Sequence, residues 1–411
     1  MDRHLLDTID PAVIGERLAD ARRARRLTQQ QAADALAVAR TTITAIEQGV
    51  RRPRAAELVT LARLYGRQVG DLVRPVRDQP APSFVVQFRG ARGPATAIPN
   101  EERDADSQRF EELCRWYVEL EELLGAPLPR RYPDIYDTSE TPPERAAEEV
   151  AASERNRLGL GDGPIGDLWG ILETDIGLRI FAMPMTSHKI AGMFLFSEGY
   201  GGCIAVNANH PDEKQRSTVA HEYAHFLTND RHKPEITVLS FYQRAPEGER
   251  FAEAFARNFL MPAAGLSRRF HATRRTKDKP ITPADVLTLS HLYRVSFQTM
   301  IWRLEELKLL PNGTWDDLHS RGFKPNKARE LLNLPAPAPE RSLLPLRYEM
   351  LAAQAYMQEL ISEGQLARRL ATDRVGAVLR VRQLTEEKQL SEDGEWRQAV
   401  LDLNAALVGA S

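Results

Sequence analysis

The chain has 411 residues, of which 42% are hydrophobic and 27% are charged, and its net charge is −2. These values are typical of a globular protein with two or three domains. Because the net charge is close to zero, the chain as a whole lacks the strongly basic character that would indicate nucleic acid as its partner.

Positive charge is concentrated in the first predicted domain, residues 1–76. Residues 12–77 contain 13 Arg and six acidic residues, a net charge of +7, so the remainder of the chain carries −9. Apolar residues at helical spacing predict five short helices here, with Thr28 as an N-cap and Gly49 as a helix end. A short turn at 37–39 between two of these helices is typical of a helix-turn-helix, which indicates DNA as the partner.

The runs 27–29 and 46–53 resemble the XRE family of phage-repressor-like DNA-binding domains. The resemblance implies a double-stranded DNA operator read by side chains at base edges, and arginine is the commonest reader of guanine. It also implies phosphate contacts that position the domain, and a homodimer on a near-palindromic site. A helical bundle that binds a protein instead stays open as the alternative. The implied base-facing residues are Arg40 and Thr41, with Thr44 and Ala45 further along the same groove. Gln29 would support a base contact or hold a phosphate. The implied phosphate contacts are Thr42, Arg51 and Arg52.

Residues 77–143 predict a linker followed by a helical connector. The segment 74–83 has three prolines and few apolar residues, which is typical of a linker. A short strand is predicted over 84–88, and apolar residues at helical spacing predict a helix over 107–124. These patterns indicate no function for the region.

Three later segments predict the strands of a small antiparallel sheet, at 178–183, 192–196 and 203–206. Glycines between the last two segments permit a hairpin turn. We expect 192–194 to lie on an edge strand, which could hold an extended peptide by main-chain hydrogen bonds.

The stretch 218–227 contains His-Glu-x-x-His. On a helix, His221 and His225 lie one turn apart and project from one face, which suits two nitrogen ligands of tetrahedral zinc. Glu222 would be the general base that takes a proton from a water at the metal. Because the pattern also occurs on surface helices with unrelated histidines, a third ligand has to decide between the two interpretations.

A helix predicted over 249–262 offers carboxylates for that third position. Glu249 and Glu253 lie four residues apart on one face, and phenylalanines would pack the opposite side. One carboxylate would bind the metal, and the next would orient a ligand histidine. Glu249 is the first choice for the ligand, Glu253 the second and Glu247 the third, and a stripe of solvated glutamates is the alternative to a metal site.

Residues 160–310 resemble the ImmA/IrrE metallopeptidases. In that family two histidines and a downstream glutamate hold the metal, which implies a zincin-like domain with Zn²⁺, or another divalent ion such as Mn²⁺, at the motif histidines and Glu249. The family usually has Asn or Asp where this chain has Glu253. The resemblance is carried by 207–211, Arg216, Ala220, His221, Glu222, Tyr223, Ala224, His225, Glu249, Ala252, Glu253, Phe255, Ala256 and 260–262.

The remaining segments carry weaker patterns. A polar loop predicted over 229–248 could cover the site, and Tyr242 within it could stabilise an oxyanion. Residues 282–310 repeat the helix-turn-helix spacing without a basic face, so we interpret them as structural packing. Helical periodicity returns over 345–383, which could form a partner or dimer surface, and the tail after Gln389 predicts a short helix.

The patterns together predict an α+β, predominantly helical protein. The expected parts are a five-helix DNA-binding domain (1–76), a connector (77–143), a peptidase domain with a helical extension (144–334) and a C-terminal helical region (335–411). The favoured function is a transcriptional regulator with a zinc-dependent endopeptidase domain that cleaves a regulator protein, or itself, in response to a signal. The alternative is a transcription factor whose peptidase-like domain is a non-catalytic sensor or interaction module. A structural metal domain ranks last, since structural zinc usually has four protein ligands.

Cysteine usage and hydropathy predict the compartment. Cys114 and Cys203 form neither a disulfide framework nor a Cys-x-x-Cys zinc pair, which is typical of a reducing cytoplasm. The N-terminus leads into no apolar core of a signal peptide, and no run of 18 apolar residues predicts a membrane span. We therefore expect a cytoplasmic protein without a membrane partner.

Overall fold

The structure, a computed structural model, describes the backbone of residues 10–25, 27–67, 69–73, 87–89, 100–228, 235–238, 247–277, 280–335, 343–390 and 396–400. The chain divides into two compact units, Met1–Gln87 and Phe88–Ser411. The further domain boundaries expected at positions 143 and 334 stay predictions. Across the described residues, no helix is both long enough and apolar enough to cross a membrane.

The first unit contains the five predicted helices. They surround a core of buried aliphatic residues that includes Ile14, Leu18, Ile43 and Ile46. The helices are α1 (Pro11–Ala24), α2 (Gln29–Leu36), α3 (Arg40–Glu47), α4 (Ala55–Tyr65) and α5 (Val69–Val73).

Local sequence signals determine where α2 begins and where α3 ends. Thr28 caps α2, because its Oγ1 accepts a hydrogen bond from the Gln31 amide at 3.2 Å while Gln31 Oε1 accepts one from the Thr28 amide at 2.8 Å. The turn between α2 and α3 places Ala37 in the left-handed region, with a φ of 52°. Gly49 follows α3 with a φ of 71°, and a Cβ there would lie 2.5 Å from Ala12 Cα. The predicted N-cap and helix end are both confirmed.

The second unit is mainly helical and contains a mixed sheet and a separate hairpin. Its helices are α6 (Asn100–Leu124), α7 (Pro143–Arg157), α8 (Leu168–Ile171) with a π-helical turn (Leu172–Ile176), α9 (Asp212–Leu227), α10 (Glu247–Leu260), α11 (Ala263–Lys277), α12 (Pro283–Tyr293), α13 (Phe297–Glu306), α14 (Thr314–Ser320), α15 (Pro325–Leu331), α16 (Leu346–Met357), α17 (Glu363–Arg369) and α18 (Arg374–Thr385). The strands are β1 (Gln87–Arg89), which begins at the last residue of the first unit, β2 (Arg179–Met183), β3 (Gly192–Ser197), β4 (Gly201–Asn207), β5 (Glu235–Val238), β6 (Glu386–Leu390) and β7 (Trp396–Val400).

The sheet has the strand order β1-β5-β3-β4-β2. β3 and β4 form the predicted antiparallel hairpin, but β2 runs parallel to β4, with Ile180 opposite Ile204, so the sheet is mixed and not antiparallel throughout. The prediction of an edge strand at 192–194 is wrong, because β5 pairs with β3 on its other side, with Thr237 opposite Phe194. β5 belongs to the segment after α9 whose composition predicted a polar loop.

Helices cover both faces of the sheet. α9 lies on one face, where the rings of Phe194 and Phe226 are 6.3 Å apart in the large core of the unit. On the other face, Phe181 of β2 contacts Tyr117 of α6 at 6.0 Å and Tyr348 of α16 at 6.1 Å between ring centroids. The connector and the first C-terminal helix therefore share the role of covering the sheet, which their sequences did not indicate.

Buried ion pairs reinforce this second face. Glu121 of α6 pairs with Arg179 of β2 at 2.5 Å and with Arg347 of α16 at 2.6 Å. Arg369 of α17 pairs with Glu119 at 2.8 Å. Removing one partner from such a buried group is costly, because the remaining charge loses its compensation.

The end of the chain departs from the prediction. The tail expected to be helical after Gln389 forms the hairpin β6–β7, with Glu386 opposite Val400 and Leu390 opposite Trp396. Pairing with a second strand stabilises the extended conformation here. The periodicity of one segment does not show that such a partner strand exists. Tyr242 and most of the loop 229–248 lie outside the described residues, as do 401–411.

Candidate metal centre and DNA-binding face

α9 positions the His-Glu-x-x-His residues inside the second unit. Every residue from Thr218 to Leu227 is buried. The helix carries Asp212 and Glu213 in its first turn, where negative charge interacts favourably with the helix dipole. The helix runs against β3 and β4 and against α10. Such complete enclosure buries the polar face that carries His221, Glu222 and His225 as well as the apolar face opposite it.

His221, His225 and Glu249 converge at one end of α9. The two Nε2 atoms lie 3.1 Å apart, Glu249 Oε2 lies 3.3 Å from His221 Nε2, and Glu249 Oε1 lies 3.6 Å from His225 Nε2. The histidine side chains are nearly buried, whereas that of Glu249 is 29% exposed. The cluster therefore faces solvent on the side of the carboxylate. Within the described part of the chain, these three form the group that could hold a metal ion.

The geometry of this cluster fits a divalent metal. Ligand atoms about 2.1 Å from a tetrahedral metal lie roughly 3.4 Å from one another, close to the three separations above. Burial lowers the pKa of His221, which favours the neutral imidazole that binds metals, although its hydrogen bond with Glu249 acts in the opposite direction. Two imidazoles and one carboxylate are a donor set typical of catalytic zinc, which keeps a further position open.

Glu222 lies beside the cluster with an unusual environment for a carboxylate. Its side chain is fully buried, and neither of its oxygens has a hydrogen-bond partner among the described residues. Burial raises the pKa of its carboxyl to about 8; His225 lowers this pKa and Glu249 raises it, both by less than burial does. An unsatisfied buried carboxylate costs stability, so it indicates a group retained for binding or chemistry.

α10 brings Glu249 to the histidines through its phenylalanine face. Phe251, Phe255 and Phe259 stack along the buried side, and Phe255 also contacts Tyr223 of α9 with ring centroids 5.9 Å apart. Glu249 lies in the first turn of α10 and therefore at the end of the helix that meets the histidines.

The structure does not bring the other two glutamates of α10 to the cluster. Glu253, predicted to orient a ligand histidine, is exposed one turn further along α10, and Glu247 is exposed at its start. One helical turn advances a side chain by about 5.4 Å, so position 253 is carried past the histidines. The spacing left all three glutamates open as ligands, and the packing of α10 places Glu249 at the histidines and Glu247 and Glu253 away from them.

A buried polar network behind α9 was missed by the sequence reasoning. Glu154 of α7 is fully buried and accepts hydrogen bonds from Tyr223 and, at 2.9 Å, from Tyr136. Arg157 pairs with the same carboxylate at 2.6 Å. Because Tyr223 directly follows Glu222, this network fixes the rotation of α9 that points the motif residues at the cluster. No clear sequence signal pointed to it, because Glu154 and Arg157 belong to a helix rich in Glu and Arg.

The run 207–211 has a structural role that its residues did not reveal. The Asn207 amide donates to the carbonyls of Ser187 at 3.1 Å and Ile190 at 2.8 Å, which holds the loop leading into β3. The His210 ring nitrogen contacts the His188 carbonyl oxygen at 2.9 Å. His210 is thus hydrogen-bonded and His188 is exposed, and neither is part of the cluster.

In the first unit, the predicted base-facing residues lie at the start of α3. Arg40 and Thr41 are exposed, whereas Thr42 and Thr44 are half-buried. Thr44 Oγ1 donates to Gln29 Oε1 at 3.2 Å, and Gln29 Nε2 donates to Glu47 at 2.9 Å. Gln29 is therefore tied to α3, consistent with a supporting role.

The residues predicted to contact phosphate have different surroundings. Arg51 is held by Glu57 through two hydrogen bonds of 2.8 and 3.1 Å, and this pair lowers the pKa of Glu57. Arg52 is half-buried, and Arg22 forms a similar two-bond pair with Glu47 at 2.6 and 2.9 Å. If Arg51 contacts a phosphate, its guanidinium would therefore bind both the phosphate and Glu57.

Comparison with known protein families supports both parts. Residues 13–75 match a helix-turn-helix domain, and residues 173–305 match the IrrE N-terminal-like domain, Peptidase_M78. The second match contains the three residues of the cluster and Glu222, and its family of metallopeptidases implies a metal. No curated protein matches the chain.

Proposed function

From a chain that joins an N-terminal helix-turn-helix domain to an IrrE N-terminal-like domain, we propose a transcriptional regulator whose second domain is a zinc-dependent endopeptidase. The observation that carries the proposal is the meeting of His221, His225 and Glu249 within 4.8 Å beside the buried, unsatisfied carboxylate of Glu222. A domain that only holds a metal has no need of a general base at Glu222.

The roles follow from the positions of the side chains. His221, His225 and Glu249 would hold the metal, and Zn²⁺ suits two imidazoles and a carboxylate, with Mn²⁺ as the other ion considered. A bound zinc ion would supply a Lewis acid that polarises the peptide carbonyl and lowers the pKa of water. Glu222 would accept a proton from the attacking water and return it to the leaving amine.

The DNA-binding domain would select where cleavage occurs. The chain would bind its operator as a homodimer and so hold its peptidase domain near one promoter. The local concentration of that domain would then be on the order of millimolar. We propose that the substrate is a regulator bound at or near that DNA, or the region between the two units of this chain. Such a protein would act in the cytoplasm, and a signal would have to trigger cleavage.

The test compares wild-type chains with Glu222→Gln chains in cells. Chain length and the fragments of DNA-associated proteins are followed together with transcription from the bound promoter, under stress and without it. Glu253→Gln is the matched control, since it makes the same change on an exposed glutamate outside the cluster. We expect fragments that depend on Glu222 and not on Glu253. Identical regulation without such fragments would favour the non-catalytic sensor.

A further inference from the structure

The C-terminal helices α16–α18 repeat the arrangement of α1–α3. Ser362, the N-cap of α17, comes 334 residues after Thr28, the N-cap of α2. The same offset separates Arg374, the first residue of α18, from Arg40, the first residue of α3. Five pairs of the positions 28–40 and 362–374 carry the same residue. The identical pairs are Gln31 and Gln365, Ala33 and Ala367, Leu36 and Leu370, Ala37 and Ala371, and Arg40 and Arg374.

The caps of the two middle helices are the same. Ser362 Oγ accepts from the Gln365 amide at 3.3 Å, and Gln365 Oε1 accepts from the Ser362 amide at 2.8 Å. The equivalent bonds of Thr28 and Gln31 measure 3.2 and 2.8 Å. Each reciprocal cap satisfies two otherwise unpaired amides of the first turn, so both helices begin in the same way.

The turns after these helices also correspond. Ala371 has a φ of 52°, the same as Ala37. The Thr372 amide donates to the Ala367 carbonyl at 3.0 Å, as the Val38 amide donates to the Ala33 carbonyl at 3.0 Å. A non-glycine residue in the left-handed region is uncommon, and its recurrence at the same position indicates one shared turn geometry.

The three helices of each set pack through equivalent positions. A Cβ on Gly15 of α1 would meet the carbonyl of Ile46 in α3. The positions 334 residues later are Glu349 and Arg380, which form an ion pair of 2.6 Å between α16 and α18. The equivalent buried pairs are Ile14 and Tyr348, Leu18 and Ala352, Ala21 and Ala355, Ala32 and Leu366, Ala33 and Ala367, and Ile43 and Ala377.

The outer face of α18 has the charge and shape that suit DNA. α18 contains three arginines and no acidic residue. Arg374 and Arg382 are exposed, as are Val375 at 70% and Leu379 at 50%. Arginines neutralise phosphates or read guanine, and apolar side chains in the major groove contact thymine methyl groups.

We propose that α16–α18 form a second helix-turn-helix that contacts duplex DNA through α18, in addition to the N-terminal domain. α18 would enter the major groove with its first turn, as α3 is expected to do. This inference goes beyond the proposed function and does not depend on peptidase activity. The helices α12 and α13 also have helix-turn-helix spacing, but we do not assign DNA binding to them. Their Arg303 points inward and donates a hydrogen bond to Asn258 at 2.6 Å.

The experiment measures binding of the full chain to a fluorescent duplex of about three helical turns, ~30 bp. Affinity is recorded between ~50 and ~200 mM salt. We expect the double change Arg374→Ala and Arg382→Ala to weaken binding and to reduce the salt slope by about 1 for each arginine that contacts a phosphate. The same loss should appear when Arg40→Ala is already present, because the two faces belong to different units.

The control removes two exposed arginines elsewhere in the second unit, by Arg145→Ala and Arg321→Ala. Their side chains are 75% and 72% exposed, so the net charge changes equally. A second variant, Val375→Glu, places negative charge on the proposed face without truncating an arginine, and it should weaken binding while the circular dichroism spectrum stays unchanged.

Two outcomes would overturn the proposal. In the first, the salt slope of the α18 variants equals that of the control. In the second, the α18 variants change self-association measured by light scattering and leave DNA binding unaltered, which would make the face a protein-docking surface.

Discussion

Gly192 of β3 lies against Glu222 of α9, so that a Cβ on Gly192 would stand 3.0 Å from Glu222 Oε1 and 2.5 Å from Thr218 Cγ2. The strand and the helix can approach this closely because position 192 has no side chain. The contact helps to define where the buried carboxylate can lie.

The first prediction is that Gly192→Ala displaces Glu222 while the metal ligands stay in place. Overpacking of this kind costs about 1–3 kcal/mol of unfolding free energy. Denaturant unfolding should record the loss of stability, and elemental analysis should find the metal content unchanged. Gly163→Ala is the control, since a Cβ there meets no heavy atom within 4 Å. Equal stabilities for the two variants would show that the close contact has no energetic consequence.

The second prediction concerns the metal. His221→Ala and His225→Ala should abolish stoichiometric binding of a divalent ion, and Glu249→Ala should weaken it strongly, because each removes one of three converging ligands. The metal content of purified protein, measured by elemental analysis, is the readout. Saturating metal should also stabilise the wild-type chain, by about 2.7 kcal/mol at 100 times the dissociation constant.

Two further variants separate ligands from neighbours in the same measurement. Glu222→Gln should keep the metal, since it changes a proposed base and not a ligand. Glu253→Ala should also keep it, since this side chain is exposed on α10. If Glu222→Gln lost the metal as completely as His221→Ala, the assignment of roles would be wrong.

The third prediction concerns base reading by α3. Arg40→Ala should relax the base preference of the full chain and cost about 1–3 kcal/mol if the contact is bidentate. Arg51→Ala should weaken binding to all sequences alike. Selection from a random DNA library with each variant tests both statements. Arg23→Ala is the control, an arginine of α1 whose side chain is 67% exposed. An unchanged preference for Arg40→Ala would remove it from the reading surface.

The fourth prediction concerns alkaline stability of the first unit. Burial raises the pKa of Tyr65 to about 12, with Glu47 contributing in the same direction and Arg22 in the opposite one. The folded state therefore holds its proton more strongly than the unfolded chain, whose tyrosines titrate near pH ~10. This contribution to stability is complete below pH ~10 and is lost as the pH rises towards 12.

The measurement compares wild-type and Tyr65→Phe chains by thermal unfolding across this range. The Tyr65 hydroxyl has no hydrogen-bond partner among the described residues, so the substitution should change little at neutral pH. The wild-type chain should then lose stability faster than Tyr65→Phe above pH ~10. Parallel curves for the two chains would contradict the assignment.

Features that depend on one helix or one turn could be predicted from the sequence. His221 and His225 share a face because a helix repeats every 3.6 residues, and the structure has them one turn apart. Thr28 begins α2 and Gly49 follows α3 for equally local reasons, a side-chain cap and a positive φ. The hairpin of β3 and β4 also follows from adjacent segments joined by glycines.

Features that depend on distant segments were decided only by the tertiary structure. Glu247, Glu249 and Glu253 were all available for the third position, and only the packing of α10 on α9 brings Glu249 to the histidines. The same limit explains why β3 was taken for an edge, since its neighbour β5 comes from beyond α9. Periodicity reports which face of an element is apolar, but it does not report which distant element covers that face. Five identical residues at a constant spacing relate α16–α18 to α1–α3 in the sequence, but the caps, the turn geometry and the equivalent burial were decided by the structure, because they depend on a backbone conformation that different side chains can share.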